Sequence, residues 1–400
     1  MADTLRATRE TLLPRTEQGR LLGVDLARAL ALFGMFCTHL LPTSADGETV
    51  TWVQQLFAGR AAALFALLAG VSLALVTAAP GTELRAARAG IVVRALLIGA
   101  LGLFLGALDT GIAVILTYYA VLFVLGLPFL GMRWRSLAGL AVAWAVLAPV
   151  VSHLLRQQLP ERTLRNPTFE MATDQPLPLL SELAFTGYYP ALPWMVYLLV
   201  GLAIGRLPLR RPAVAAAIAV TGAALAVVSW GTSWLLLHPL GGLAQLRRTA
   251  PDSTPFDYLS VDQALVQGTF GTTPTTSWWW LTTTAPHSGT PFDLLQTTGS
   301  AMLVLGLCLL IGQRVSAKVG LLFAAGAMTL TLYSVHLVAL HTDVGPPRET
   351  TELLWWHLVG ALLLAAIWRA VVGRGPLEAC VRWCSQAGRQ GVRLVSRPRR

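Results

Sequence analysis

Charged residues are the scarcest component of this sequence. Only 12% of its 400 residues are Asp, Glu, Lys or Arg, whereas 54% are hydrophobic. A soluble globular domain carries about 25% charged residues. The chain therefore lacks the polar surface that water demands, which excludes an ordinary soluble enzyme. Cysteine is sparse too, with 4 in the chain. Cys37 and Cys308 fall in apolar runs and Cys380 and Cys384 in a basic tail, so none is placed for an extracytoplasmic disulfide. Two tail thiols without further partners make no zinc site, and no metal is expected. Internal repeats and low-complexity tracts are also missing, apart from a Thr-rich patch over 269–284. The missing two-fold repeat weighs against a transporter built from duplicated halves.

What is abundant is apolar runs of about 20 residues, the length that crosses the hydrocarbon core as a helix. They cover 21–41, 61–78, 90–107, 111–130, 136–155, 190–207, 212–237, 293–312, 319–340 and 352–372. The expected fold is an all-α polytopic membrane protein of about ten transmembrane helices. Basic residues set its orientation. Taking the N-terminus as cytoplasmic, the inner segments collect Arg6, Arg9, Arg15 and Arg20, then Arg85, Arg88 and Arg94, and later Arg133, Arg135, Arg206, Arg210, Arg211, Arg314 and Lys318. The tail adds Arg369, Arg374, Arg382, Arg389, Arg393, Arg397, Arg399 and Arg400. Both termini are thus expected in the cytoplasm. The chain divides into a cytoplasmic segment 1–20, a transmembrane domain 21–373 with outer loops 156–189 and 238–292, and a basic cytoplasmic tail 374–400. The net charge of +10 then reads as topology and attraction to anionic headgroups, not as nucleic-acid binding. Glu10 and Glu17 before the first run, with Asp25 and Arg28 inside it, argue against a cleaved signal peptide.

The first run carries the informative constellation. Asp25 and Arg28 are three apart, and Arg28 and His39 eleven apart, in an otherwise apolar helix. At about 3.6 residues per turn all three side chains line one stripe, climbing roughly 20 Å from the inner to the outer leaflet. Ionisable groups in a span normally face a bundle interior or a water-filled path. Asp25 and Arg28 also fit a plain i,i+3 pair near the cytoplasmic interface, a reading that leaves His39 unexplained. With this topology His39, His153, His238, His287, His336, His341 and His357 all fall on the outer side, and His39, His336 and His357 lie within helices at similar depth. Histidine is the usual proton-transfer residue near neutral pH, and also a common interhelical hydrogen-bond partner. The outer run Trp278-Trp279-Trp280 suits an interfacial belt or, beside acidic residues, a sugar-binding face.

The order of motifs resembles a known family. Arg20-Leu-Leu-Gly-Val-Asp25-Leu-Ala-Arg28, closing on His39, resembles the first helix of the transmembrane acyltransferase superfamily, with its basic residue, ten intervening positions and histidine. That superfamily includes the heparan-α-glucosaminide N-acetyltransferase-like proteins and acyltransferase family three. Gly59-Arg60 through Gly70 resembles the second helix, and Ile115-Leu116-Thr117-Tyr118-Tyr119 the fourth. Pro193-Trp194, Gly205-Arg206, Pro286-His287-Ser288-Gly289, Tyr333-Ser334-Val335-His336 and Gly375-Pro376-Leu377-Glu378 are similar to a bacterial branch of acetyltransferase-like membrane proteins. One departure is Ala29, where the helix-one pattern has glycine.

The resemblance implies an acyl-CoA-dependent O- or N-acyltransferase in a bacterial inner membrane. It would move an acyl group, typically acetyl, from cytoplasmic acyl-CoA to an extracytoplasmic acceptor such as a glycan. Arg28 and Arg94 would meet the CoA phosphates, for which guanidinium is well suited. His39 would act as general base toward the acceptor or as an acyl-carrying nucleophile, and Asp25 would fix Arg28. Arg60 would stabilise the oxyanion or hold the acceptor. Tyr118, Tyr119, His287, Ser288, Ser334 and His336 would line the acceptor pocket. Lipid is the implied surrounding, and the sequence leaves a homo-oligomer open. The alternative class is a proton-coupled transporter or a flippase for a lipid-linked or small polar substrate, which intramembrane Asp, Arg and His would also suit.

Overall fold

The computed structural model describes residues 21–44, 49–79, 81–160, 162–249, 260–315 and 324–395. Arg6, Arg9, Glu10, Arg15, Glu17, Arg20, Lys318, Arg397, Arg399 and Arg400, used above for orientation, lie outside the described residues. The principal helices are α1 (Leu22–Leu40), α2 (Arg60–Thr77), α3 (Leu84–Gly106), α4 (Leu116–Gly126), α5 (Trp134–Leu155) and α6 (Ala191–Gly205). They continue with α7 (Pro212–Leu237), α8 (Pro291–Arg314), α9 (Thr329–His341), α10 (Thr351–Val371) and α11 (Pro376–Val395). Each predicted span meets one of α1–α10; the span over 319–340 does so only from 329 onward, because 324–327 form a 3-10 turn and 316–323 are outside the described residues. Among the described residues seven helices are long and apolar enough to cross a membrane, and an eighth span results if the bent pair Pro176–Thr186 and Ala191–Gly205 counts as one. The chain is an all-α, multi-pass integral membrane protein.

Local sequence explains where the helices start. Pro212 and Pro291 stand at the first position of α7 and α8, where a missing N–H is harmless. Thr290 caps α8 by accepting from the Asp293 N–H at 3.1 Å, and Thr350 caps α10 by accepting from the Leu353 N–H at 3.2 Å. The break ahead of α6 bends the path by 52° across Gly187 and Pro190. Irregular backbone at membrane depth is tolerated only inside protein. Accordingly α6 is almost wholly buried, including Trp194, Tyr197, Leu198 and Leu199.

Close approach between helices comes from small residues. A side chain at Gly201 of α6 would strike the Leu67 carbonyl of α2, and one at Gly70 would strike the Leu198 carbonyl in return. Helix α1 approaches α8 in the same way, at Gly23 and Gly312. Contact at the start of α1 therefore rests on Gly23, while Ala29, which departs from the family pattern, is accommodated as a buried residue. Helix α7 packs along α8 and α11 along α3. Val220, Val227, Leu363 and Ile367 are exposed on α7 and α10, forming the apolar surface that lipid covers. Beyond α7, the helices Gly242–Thr249 and Val261–Gln267 and a 3-10 turn at Trp278–Thr282 make a small outer cap. Its own core holds Leu237, Leu246, Val261, Ala264 and Trp280. Trp280 is thus core, whereas Trp278 stays exposed and lies against His153.

Gly201→Leu is expected to lower the melting temperature of the detergent-purified protein strongly, because overpacking a backbone contact costs about 1–3 kcal/mol or more. Gly139→Ala, at a position with open space around it, should leave melting unchanged within error.

Candidate active site at the two ends of helix one

The inner end is organised by a buried carboxylate. Asp25 is only 4% exposed, and its Oδ1 accepts from Arg28 Nη1 at 3.1 Å. Arg28 Nη2 donates to Ser72 Oγ at 2.6 Å, tying α1 to α2. Gly326 presses against the Asp25 backbone from the segment preceding α9, so the pair is enclosed on that side by the chain itself. Asp25–Arg28 is therefore a part-buried interhelical junction and not a solvated interfacial pair. Arg94 on α3 lies within electrostatic reach of Arg28, and its guanidinium carbon sits 5.3 Å from the Phe123 ring centroid. Its Nε is buried without a hydrogen-bond partner among the described residues.

The outer end of α1 carries a chain of imidazoles. His39 Nδ1 lies 3.2 Å from His336 Nε2 on α9, and His336 Nδ1 lies 3.2 Å from His357 Nδ1 on α10. Phe36, one turn before His39, stacks on His336 with centroids 4.1 Å apart, which fixes the middle ring. His336 is 1% exposed and His357 6%. A neutral imidazole carries a single N–H, so donors along such a chain run one way or the other. If His39 Nδ1–H donates to His336, the next donation runs from His336 Nδ1–H to His357, and His39 Nε2 is left with a free lone pair. That tautomer makes His39 a base or nucleophile; the reverse one blocks it. His357 Nε2 ends the chain, buried and without a partner among the described residues. Among those residues no group of His, Cys, Asp or Glu is arranged to hold a metal ion.

A loop ahead of α8 brings His287 to the same end. Its backbone is left-handed at φ 54, its carbonyl accepts from the Gly271 N–H at 2.6 Å, and its Nε2 accepts from the Gly59 N–H at 3.1 Å. His287 stands within electrostatic reach of His39, with Tyr189 and Trp194 packed around its ring. Arg60, next to Gly59, donates to the Gln55 carbonyl at 2.7 Å and lies within electrostatic reach of buried Asp293. The Asp293 Oδ2 accepts from the Gly289 N–H at 3.0 Å, beside Ser288, whose hydroxyl meets Thr290 at 3.4 Å.

The remaining sequence candidates spend their hydroxyls locally. Tyr119 donates to the Ala62 carbonyl at 3.3 Å and Ser334 to the Leu330 carbonyl at 2.9 Å, while Tyr118 accepts from the Tyr188 N–H at 3.2 Å. These contacts brace α2, α4, α9 and the break before α6. His238 and His341 have other partners, the carbonyls of Trp234 and of Leu108 respectively. Sequence reasoning missed Ser72, whose role depends on an interhelical contact, and Asp293. The signal for Asp293 was present: an acidic residue three positions after Thr290 in an apolar run is an intramembrane carboxylate needing a partner.

A model of the family described as "Heparan-alpha-glucosaminide N-acetyltransferase, catalytic" matches residues 20–238. The match takes in α1 with Asp25, Arg28 and His39, and runs through α7. No curated protein matches the chain.

Burial pushes the His287 imidazole from 6.5 down to about 4. Between those values the unfolded chain binds a proton that the folded one does not, so stability rises with pH and is lost as pH falls from 6.5 toward 4. The loss amounts to about 3 kcal/mol at most. His287→Gln, whose amide oxygen can still accept from Gly59, should show a shallower fall in melting temperature over this pH window, measured in detergent against wild type.

Proposed function

The chain belongs to the heparan-alpha-glucosaminide N-acetyltransferase catalytic family, and from that premise we propose that it moves an acetyl group from cytoplasmic acetyl-CoA to an extracytoplasmic amine or hydroxyl, that of a glycan. It is a multi-pass membrane acetyltransferase; the donor, the acceptor, the direction and a bacterial inner-membrane location are the proposal. The observation that carries it is the chain of contacts from His39 through His336 to His357 at one end of a helix whose other end holds Asp25, Arg28 and, nearby, Arg94.

In this reading the CoA phosphates remain at the basic inner end and the pantetheine arm runs along α1. Arg28 to His39 spans roughly 16 Å of helix, within the reach of an extended pantetheine. At the outer end the acceptor nitrogen or oxygen attacks the thioester carbonyl carbon, while His39 Nε2 takes the proton that the acceptor loses. The carbonyl oxygen becomes an oxyanion near Arg60, a cation held in place by Gln55 and balanced by Asp293. Collapse of that intermediate breaks the C–S bond, and the departing thiolate takes up a proton to leave as CoA. The imidazole chain favours the base role: the positive charge on His39 is spread by donation to His336, and from His336 to His357. Asp25 keeps Arg28 extended toward α2 and acts as a positioning residue.

Purified protein given labelled acetyl-CoA should bind it both as wild type and as His39→Ala, with CoA release and acceptor labelling only in wild type, a loss of at least about 100-fold for removal of a general base. His336→Gln should retain donor binding and slow transfer, because it breaks the donation that keeps Nε2 of His39 free. Trapping of an acetylated His39 in the absence of acceptor would favour the nucleophile instead. Wild-type protein that binds no acyl-CoA would end the transferase reading, and substrate flux into liposomes would become the assay.

A further inference from the structure

The tail helix α11 carries a feature that topology leaves unexplained. Its first turn is fixed by Glu378, whose Oε1 accepts from the Leu330 N–H at 2.8 Å and the Thr331 N–H at 3.1 Å. The other oxygen, Oε2, accepts from Thr331 Oγ1 at 2.6 Å. The carboxylate thus caps the N-terminus of α9, the helix that bears His336, and docks the tail on the bundle. Three turns further on, Arg389 lies across α3 at Gly90. A side chain at Gly90 would come within 2.6 Å of Arg389 Nε, so the glycine leaves the space the guanidinium arm occupies. Arg94 sits one helical turn beyond Gly90 on the same face of α3, about 6 Å along it.

Two guanidinium groups therefore converge on the inner end of α3, and each has its Nε buried without a hydrogen-bond partner among the described residues. Arg28 adds a third positive charge within electrostatic reach of Arg94. The carboxylates nearby are already engaged, Asp25 with Arg28 and Glu378 with the start of α9. Clustered, partly desolvated cations with unmet donors are unfavourable unless an anion joins them, and planar guanidinium groups match a phosphate.

We propose that Arg389 of the tail helix and Arg94 of α3, with Arg28 within electrostatic reach, form a phosphate-binding site at the cytoplasmic mouth, and that its occupant is the 3′-phosphate of the acyl-CoA donor. The identity of the occupant rests on the transferase reading; the phosphate chemistry does not, since an anionic lipid headgroup would present the same group. On this assignment α11 is part of the donor site, and through Glu378 it joins the phosphate end to the helix that positions His39.

The test compares full-length wild type, Arg389→Gln and Arg389→Lys by affinity for acetyl-CoA and for 3′-dephospho-acetyl-CoA. The same proteins are melted in nanodiscs of phosphatidylcholine with and without phosphatidylglycerol. Melting in phosphatidylcholine confirms that each variant is folded. Wild type should prefer acetyl-CoA by about tenfold or more, the value of one charge-assisted contact. Arg389→Gln should abolish that preference, and Arg389→Lys should keep part of it. If the preference survives in Arg389→Gln but stabilisation by phosphatidylglycerol is lost, the phosphate is a headgroup's and the donor assignment falls. If the glutamine variant changes neither, the site is overturned while the transferase reading stands. If wild type binds no form of acyl-CoA, the transferase reading fails, and the phosphatidylglycerol comparison alone decides whether the site exists.

Discussion

An ionisable side chain in a helix that crosses hydrocarbon is tolerable only when another group meets it. Helix α1 carries three such side chains: Asp25 and Arg28 meet each other, and Arg28 and His39 are met from other helices. Arg28 bonds Asp25 and Ser72, which joins α1 to α2. His39 meets His336, and His336 meets His357, which joins α1 to α9 and α10. The arrangement of the central helices follows from this requirement as much as from apolar packing. It also separates a charged end from an imidazole-bearing end along a single helix.

Helix length is the second constraint. α6 and α9 are 15 and 13 residues long, too short to span the hydrocarbon core alone. Both lie against the α1–α2 core, where protein rather than lipid surrounds their ends. The segment that leads into α9 closes over Asp25 at Gly326, and the loop ahead of α8 supplies His287, held by Gly59 and Gly271. Long peripheral helices such as α7 and α10 supply the lipid-facing surface, though α10 also lends His357 inward. Short elements thus shape the centre and long ones insulate it.

The tail helix α11 fits neither role. Its basic residues read as topology signals in sequence, yet Glu378 pins it to the start of α9, and Arg389 lies in a groove opened by Gly90. The helix that presents His336 at its outer end is therefore capped at its inner end by a tail carboxylate. The tail and the imidazole chain are linked through one helix of 13 residues.

Sequence alone determined the class, the helical spans and the stripe on α1, because apolar length and the 3.6-residue period are local properties of the chain. His39, Arg28 and Asp25 were legible for the same reason: ionisable groups stand out against an apolar run. What only the tertiary structure decided is which of seven histidines meet, since His336 reaches His39 across 297 positions of chain and brings His357 behind it. Hydroxyls of Tyr118, Tyr119 and Ser334 each meet a backbone group once the helices pack. Asp293, Ser72 and Arg389 acquire meaning only through neighbours on other helices. Partner choice depends on helix packing, which small residues at scattered positions set jointly, and no local pattern encodes that result.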